Sequence, residues 1–180
     1  MELIEKILSE ENLQKAIRKV KKNKGAPGVD KMTVQEVEEW FNQYKEDLIS
    51  KILNKQYKPM PVKRDYIPKP NGKQRPLGIP TVVDRVIQQA MLQVLNEIYE
   101  PVFSEHSYGF RPNRSAHMAM EEVLGYLNDG YEWIIDLDIE KFFDTVNHDK
   151  LISILRERVN DSKTLHLIRA YLQAGILDKG

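Results

Sequence analysis

Cysteine is absent from the 180 residues, which excludes disulfide bonds and thiolate metal sites and fits a reducing compartment. No apolar run approaches the roughly 18 residues that a membrane span requires. The first residues are acidic and amphipathic, unlike a signal peptide. We therefore expect a cytoplasmic protein that does not bind membranes.

Net charge is also lacking, since 27 lysine and arginine residues balance 27 acidic ones. The charges are unevenly distributed, however. Residues Lys51–Arg85 hold nine basic and two acidic residues, whereas Glu121–Asp161 hold four basic and eleven acidic ones. A basic stretch for phosphates followed by an acidic stretch for metal suits a polymerase. An ordinary uneven surface gives the same distribution, so charge alone does not decide the function.

Two common catalytic patterns are missing. The glycines of Asn23–Asp30 are not followed by the Gly-Lys-Ser/Thr of a phosphate-binding loop, and the four histidines lack the His-Glu-x-x-His spacing of a zinc site. With 41% hydrophobic and 30% charged residues, the composition still predicts a folded domain with a sizeable core.

Hydrophobic periodicity predicts an α+β protein that is helix-rich and contains one antiparallel hairpin. Ser9, the pair Thr33 and Glu36, Thr81, Ser115 and Asn147 are predicted helix caps. The predicted elements are a helix ending near Asn23, a helix after Glu36, strands Val62–Lys69 and Lys73–Ile79 around the turn Asn71-Gly72, helices Val82–Tyr99 and Ser115–Leu127, a strand Trp133–Asp138, helices His148–Val159 and Lys163–Ala174, and the start of a strand in Gly175–Gly180.

Carboxylates follow the short apolar strand predicted at Trp133–Asp138. Strand alternation places Asp136 and Asp138 on one face, and a carboxylate at a strand end can hold a hard cation such as Mg²⁺. We favour Asp138 because it lies nearer the strand end and precedes the aromatic pair Phe142-Phe143. Both acids could instead be surface residues at a strand–helix junction. Likewise, the aromatic pair could be core residues, or one ring could line a cleft.

Basic residues are concentrated on the predicted hairpin: Lys63, Arg64, Lys69, Lys73 and Arg75. A two-stranded ribbon with such side chains can reach over a phosphate chain. Equally, lysines protect the exposed edge of a soluble hairpin from aggregation. In the loop that follows, Arg111 and Arg114 could contact a nucleic-acid backbone or brace the loop. We favour bracing for Arg111.

Five motifs now stand in an order that resembles group II intron reverse transcriptases, and most closely the compact bacterial IIC type. They are Lys24-Gly25-Ala26-Pro27-Gly28-Val29-Asp30, the run from Ile67 to Pro80, Asp84-Arg85, Tyr108-Gly109-Phe110-Arg111-Pro112, and the run from Asp138 to Asp144. The resemblance covers the chain from its first helix to its last residue. It implies a right-hand polymerase fold, of which this chain holds the fingers and part of the palm.

The resemblance also implies RNA-directed DNA synthesis with Mg²⁺, and RNA, a DNA primer and a deoxynucleoside triphosphate as partners. Asp138 would bind the metal together with the carbonyl of Ile139. Lys69 and Arg75 would hold the triphosphate, and Phe143 would exclude ribonucleotides. The loop Asn23–Asp30 would act as a lid over template and primer. The implied nucleic-acid contacts are Lys24, Gly25, Lys63, Arg64 and Arg114.

The implied organisation is an N-terminal extension in residues 1–32, fingers in 33–130 and the start of the palm in 131–180. One departure is large, because the family's second acidic motif, Tyr-Ala-Asp-Asp, does not occur in these residues. We therefore expect a fragment that is inactive alone. The alternatives are a non-catalytic RNA-binding module and a reverse transcriptase of another retroelement (retron, CRISPR-associated or diversity-generating). Self-association as a homodimer is a further possibility.

Overall fold

The structure is a computed structural model that describes residues 2–68, 70 and 72–178. Its helices and strands, in chain order, are α1 (Leu3–Ile7), α2 (Glu10–Asn23), α3 (Val37–Leu53), β1 (Val62–Pro68), β2 (Gln74–Ile79), α4 (Val82–Tyr99), a 3₁₀ turn (Glu100–Val102), α5 (Ala116–Asn128), α6 (Phe142–Thr145), α7 (His148–Arg156), α8 (Ser162–Leu172) and β3 (Ile176–Leu177). The predicted α+β class is confirmed.

The chain forms two compact units. The first comprises Met1–Leu95 and Asn147–Gly180, and the second comprises Asn96–Val146. These units follow packing within the chain and do not test the functional segments 1–32, 33–130 and 131–180, which stay a prediction.

A helical core holds the first unit together. The apolar stripes of α1, α2, α3 and α4 supply nearly all of its buried side chains, and α8 adds Leu167. Ile4, Ile17, Val37 and Ile87 are each at most 1% exposed. Burying one such side chain contributes about 1.5–3 kcal/mol, so this packing is the main source of the unit's stability.

Local capping explains where several helices begin, as predicted. Side-chain oxygens of Ser9, Thr81, Ser115 and Asn147 accept hydrogen bonds from backbone N–H groups in the first turn of α2, α4, α5 and α7. Each bond satisfies one of the donors that a helix start leaves unpaired. The predicted capping box at Thr33 is half formed: the Glu36 carboxylate accepts from the Thr33 N–H at 2.8 Å, but α3 starts only at Val37.

The first unit also holds a three-stranded sheet in the order β2-β1-β3. Strands β1 and β2 form the predicted antiparallel hairpin, paired from Lys63 with Ile79 to Pro68 with Gln74. Strand β3 pairs in parallel with the start of β1, which confirms a strand after Gly175. The predicted turn residue Asn71 lies outside the described residues.

The second unit has little interior. None of the residues Asn96–Val146 is buried. Helix α5 begins after the Ser115 cap and ends before Gly130, whose φ of +94° suits glycine.

Candidate functional site

The hairpin register divides its basic side chains between two faces. Because side chains alternate along a strand and paired residues share a face, Lys63 lies on the same face as Arg75, four residue pairs along the ladder. Arg64 lies on the opposite face, beside Gly78. The hairpin therefore presents cations on both faces, with Lys63 and Arg75 on one face and Arg64 on the other.

The side chain of Arg75 is exposed, and none of the described residues forms a hydrogen bond or an ion pair with it. The same holds for the side chains of Lys63 and Arg64. Their charges are thus available to an external anion. Lys69, the other predicted triphosphate contact, lies outside the described residues.

The base of the hairpin is fixed to the chain around β3. The Val62 N–H donates to the Gly175 carbonyl at 2.9 Å, and the Tyr66 hydroxyl donates to the Asp178 carboxylate at 2.9 Å. The hydrogen bond to Asp178 raises the pKa of Tyr66, so the hydroxyl stays protonated and keeps donating at neutral pH. These contacts hold β1 to the chain around β3.

Arg85 holds the loop predicted to be a lid. Its guanidinium donates to the Ala26 carbonyl at 2.9 Å and to the Lys24 carbonyl at 3.3 Å. Burial lowers the pKa of Arg85, an effect that the nearby Asp30 opposes. The buried Nε of Arg85 has no hydrogen-bond partner among the described residues. The two terminal nitrogens of Arg85 are therefore directed at the loop. The sequence alone did not indicate this role for Arg85.

Two glycines allow the loop to approach so closely. Gly25 has φ of +108°, and a Cβ there would lie 2.7 Å from the Arg85 Nη1. A Cβ on Gly28 would lie 2.7 Å from the Thr81 Cα, a backbone atom that cannot move aside. The loop is therefore packed against the start of α4 with its Lys24 side chain exposed. Its predicted contact with nucleic acid stays a prediction.

Beneath the start of α4 lies a buried carboxylate that sequence analysis also missed. Asp84 is 1% exposed, and its oxygens accept from the Tyr57 hydroxyl at 2.6 Å, the Thr81 hydroxyl at 2.7 Å, the Tyr171 hydroxyl at 3.1 Å and the Met60 N–H at 3.2 Å. Burial, together with the Asp84 charge, raises the pKa of Tyr57. This group joins α4, α8 and the approach to β1. The available clue was an acid three residues after the predicted cap Thr81.

The predicted strand Trp133–Asp138 is wrong: this segment has no regular secondary structure and pairs with no strand in residues 2–68, 70 and 72–178. Trp133 is 93% exposed, and its apolar neighbours are exposed as well. The alternating pattern indicates a strand, but a strand needs a paired neighbour to satisfy its backbone groups. The segment therefore has the alternating apolar sequence of a strand but belongs to no sheet.

Asp138 stands near the end of this segment, before Lys141 adopts a left-handed conformation with φ of +50° and turns the chain into α6. Its carboxylate is exposed and bonds to none of the described residues. In donor chemistry, this carboxylate and the Ile139 carbonyl suit Mg²⁺, which prefers hard oxygen ligands. In number they fall short, since within the described part of the chain no group of three or more acidic, histidine or cysteine residues is placed so that it could hold a metal ion.

The aromatic pair lies one turn further on. The Phe142 and Phe143 rings contact each other edge to face, with centroids 5.5 Å apart. Phe143 is 84% exposed, and Phe142 is about half exposed. Neither ring is a core residue here, so both can contact a ligand.

Arg111 braces its loop, as favoured. It donates to the Glu100 carboxylate at 2.8 Å and to the Ser107 carbonyl at 2.9 Å, and its side chain is nearly buried. Arg114, in contrast, only approaches the Tyr108 ring, at 5.5 Å from its centroid. Because Arg114 forms no ion pair within the described residues, its charge stays available, and its predicted contact with nucleic acid is untested.

Residues 67–179 match the reverse transcriptase (RNA-dependent DNA polymerase) family. This span includes most of the hairpin, the Asp84–Arg85 pair and Asp138. The chain belongs to the reverse transcriptase family. It is 39% identical over 158 residues to the group II intron-encoded protein LtrA of Lactococcus lactis subsp. cremoris, a match that covers 87% of this chain and 26% of LtrA. Among reverse transcriptases, the chain is thus similar to the group II intron-encoded type.

Another curated relative is protein YkfC of Escherichia coli strain K12, 39% identical over 184 residues. That match covers 99% of this chain and 48% of YkfC, so the chain spans about half the length of YkfC and about a quarter of LtrA. Among solved structures, a partial Cas6-RT-Cas1–Cas2 complex matches 95% of this chain and 28% of its own, with a TM-score of 0.58 and 23% identity. This likeness supports the α+β fold of polymerase fingers and palm.

No helix within residues 2–68, 70 and 72–178 has both the length and the apolar character needed to cross a membrane.

Proposed function

We propose that this chain forms the fingers and the first part of the palm of an RNA-directed DNA polymerase that a group II intron encodes. The observation that carries the proposal is the reverse transcriptase match over residues 67–179, because it includes both Arg75 and Asp138. RNA template, DNA primer and deoxynucleoside triphosphate are the proposed partners, with Mg²⁺ as the cofactor.

Asp138 is the proposed catalytic carboxylate, and with the Ile139 carbonyl it would hold Mg²⁺. Its exposed carboxylate, unpaired within the described residues, supports this role. Bound Mg²⁺ neutralises charge on the phosphate oxygens. One carboxylate supplies too few ligands for two metal ions, so we propose that residues 1–180 do not polymerise DNA by themselves.

Lys69, Arg75 and Phe143 are the proposed nucleotide contacts. The exposed Arg75 fork can donate two parallel hydrogen bonds to phosphate oxygens, a geometry that lysine cannot offer. Phe143 presents an exposed ring that would exclude a 2′-hydroxyl by shape. Lys24, Gly25, Lys63, Arg64 and Arg114 are the proposed contacts to template and primer.

Photocrosslinking of a deoxynucleoside triphosphate tests this assignment without requiring catalysis. With template–primer and Mg²⁺ present, we expect Arg75→Ala to lower crosslinking about tenfold, the loss of one or two charge-assisted hydrogen bonds. Lys19→Ala is the matched control, because Lys19 is an exposed cation of the first unit on α2. Equal crosslinking by Arg75→Ala and wild type would contradict the assignment.

A second experiment addresses the metal. Electron paramagnetic resonance of Mn²⁺, used as a probe for Mg²⁺, should show weak binding that Asp138→Asn removes and that Asp47→Asn on α3 does not. In parallel, residues 1–180 should fail to extend a primer. Robust Mg²⁺-dependent extension by the wild-type chain alone would refute the proposed inactivity.

A non-catalytic RNA-binding role is the second candidate, favoured by the unpaired cations on both faces of the hairpin. RNA binding that survives Asp138→Asn, without nucleotide crosslinking in any variant, would support it. Self-association stays a proposal supported by the exposed apolar side chains of α5, among them Met120 and Leu124. Sedimentation at several concentrations tests it.

A further inference from the structure

Two adjoining clefts lie in the first unit, lined by residues to which the proposed polymerase function assigns no role. Their volumes are about 330 Å³ and 440 Å³, and they share Lys55, His166 and Arg169. One extends along α7 and the start of α8, and the other along the segment after α3 and the end of α8. We call this combined surface the α3–α8 groove.

The charge of the groove is strongly positive. Lys55, Lys58, Arg156 and Arg169 line it, together with His166, whereas Asp161 is its one acidic lining residue among those described. Within the described residues, the side chains of Lys58, Arg156 and His166 have no hydrogen bond or ion pair. Unpaired cations that surround a concave surface favour an anionic ligand.

Asp161 keeps its negative charge but forms no ion pair with these cations among the described residues, because its oxygens accept hydrogen bonds from neutral donors. It accepts hydrogen bonds from the Ile4 N–H at 2.6 Å, the Lys163 N–H at 2.9 Å and the Thr164 hydroxyl at 2.9 Å. This carboxylate caps α8 and ties it to α1. Of the lining cations, Arg169 pairs with Asp149 and Lys55 donates to the Ser162 hydroxyl at 3.3 Å.

The lining also indicates the class of partner. Its larger apolar side chains, Ile152 and Leu165, are each only 6% exposed, so the groove offers no apolar anchor of the kind that protein interfaces use. Asn160 and Gln173 add amide groups that can bond to phosphate or sugar oxygens. Its phenol ring, Tyr57, is half-buried and donates its hydroxyl to Asp84, whereas the exposed imidazole of His166 can contact phosphate oxygens.

The groove reaches the base of the basic hairpin. Pro59, which precedes β1, and Gly175, which precedes β3, both line the larger cleft. The Gly175 carbonyl bonds to the Val62 N–H at the first residue of β1. A nucleic acid that binds in the groove would therefore lie beside the root of the hairpin within the same unit.

We propose that the α3–α8 groove binds the phosphate backbone of double-stranded RNA, independently of its sequence. The inference rests on the proposed function only in taking RNA as the partner. The groove would hold a folded RNA stem while the hairpin contacts template and nucleotide. Backbone contacts of this kind make affinity strongly dependent on salt, which gives the proposal a direct measurement.

The experiment measures the affinity of residues 1–180 for a blunt RNA stem of about 20 base pairs, longer than the roughly 16 base pairs that a double-strand-binding domain covers, over a range of salt concentrations. The double variant Lys58→Glu/Arg156→Glu should lower affinity at least about tenfold and reduce the salt slope by about two, since each lost phosphate contact removes about 0.9. The matched control is Lys19→Glu/Lys22→Glu on α2, which makes the same change in charge on exposed residues of the same unit.

Three outcomes would overturn the proposal. An equal loss in the control pair would mean that the charge of the whole unit binds RNA. Competition by millimolar inorganic phosphate would indicate a small-anion site, and tighter binding of poly-glutamate than of the stem would indicate an acidic protein partner. Circular dichroism of each variant establishes that it is folded.

A separate arm distinguishes this inference from the polymerase proposal. Arg75→Ala should lower nucleotide crosslinking and leave stem binding intact, whereas the groove variant should do the reverse. If Arg75→Ala instead removes stem binding and the groove variant does not, the groove proposal is wrong. Loss of nucleotide crosslinking only in Arg75→Ala would still support the polymerase proposal in that case.

Discussion

Replacing Asp84 by asparagine changes one buried carboxylate to an amide of nearly the same shape. The Oδ2 of Asp84 accepts from the Met60 N–H, which can only donate, so the new amide oxygen must take that position. The amide nitrogen then faces the Tyr57 and Tyr171 hydroxyls, both of which donate to Oδ1. These hydroxyls must rotate to accept, and their own protons lose a charged acceptor.

The magnitude follows from this exchange. A hydrogen bond to a charged group contributes about 1.5–3 kcal/mol, and a neutral one about 0.5–1.5 kcal/mol. In Asp84→Asn, two bonds change from charged to neutral, and burying an amide costs less than burying a carboxylate. Together these effects lower the free energy of unfolding by about 2 kcal/mol. For Asp84→Ala we expect a loss of about 4 kcal/mol in the free energy of unfolding. Three hydroxyls and the Met60 N–H are then left without their acceptor.

Urea unfolding followed by Trp40 fluorescence is the assay. Trp40 lies on α3 in the first unit, with the Phe41 and Tyr44 rings each 5.3 Å away. The chain has one other tryptophan, Trp133, which is exposed in the second unit, so a Trp133→Phe background leaves Trp40 as the sole reporter.

Asp47→Asn is the control, because Asp47 forms an exposed pair with Lys51 and should change stability by no more than about 0.5 kcal/mol. If Asp84→Asn is as stable as this control, the cost of burying the carboxylate cancels its hydrogen bonds, and the reasoning fails.

Two further predictions concern the same unit. Gly25→Ala should destabilise it by about 1–3 kcal/mol through its positive φ and its contact with Arg85. In an Arg85→Ala background this cost should fall by at least about 0.5 kcal/mol. If the two changes in unfolding free energy are simply additive, the proposed contact between Arg85 and the loop is contradicted. For Asp161, burial raises the pKa, but hydrogen bonds from Ile4, Thr164 and Lys163 outweigh it and hold the pKa below its usual value. Its stabilising contribution is therefore present above about pH 4 and is lost as the pH falls through the pKa of the folded state. The urea midpoint should drop less between about pH 5 and pH 3 in Asp161→Asn than in wild type. An equal drop in both proteins would refute this reasoning.

Local chemistry explains which parts of the fold could be predicted. The caps at Ser9, Thr81, Ser115 and Asn147 depend on bonds within three residues, so the sequence around each of them is sufficient. The hairpin was also predictable, because its two strands are neighbours in the chain. The strand at Trp133–Asp138 was not, since a strand forms only where another strand pairs with it, and apolar alternation cannot report a missing neighbour.

The candidate site divides in the same way. Its exposed cations and carboxylate were predictable because motifs carry them, and they stay predictions because no ligand contact tests them. Arg85 and Asp84 were recognised only as part of a motif. Their roles depend on partners far away in the chain: Arg85 reaches Lys24, and Asp84 reaches Tyr57 and Tyr171. No periodicity reports such contacts.

The proposed phosphate-binding residues and the proposed metal-binding residue lie in units that differ in how much of the chain is buried. Arg75, Lys63 and the loop at Gly25 belong to a unit with a buried helical core, so their positions are largely fixed before any ligand binds. Asp138 belongs to a unit in which none of the residues Asn96–Val146 is buried. Fixing a backbone residue costs about 1–2 kcal/mol, and without burial little in this unit offsets that cost. Phosphate binding should therefore depend mainly on the residues present, whereas metal binding at Asp138 should strengthen when a paired strand orders its segment.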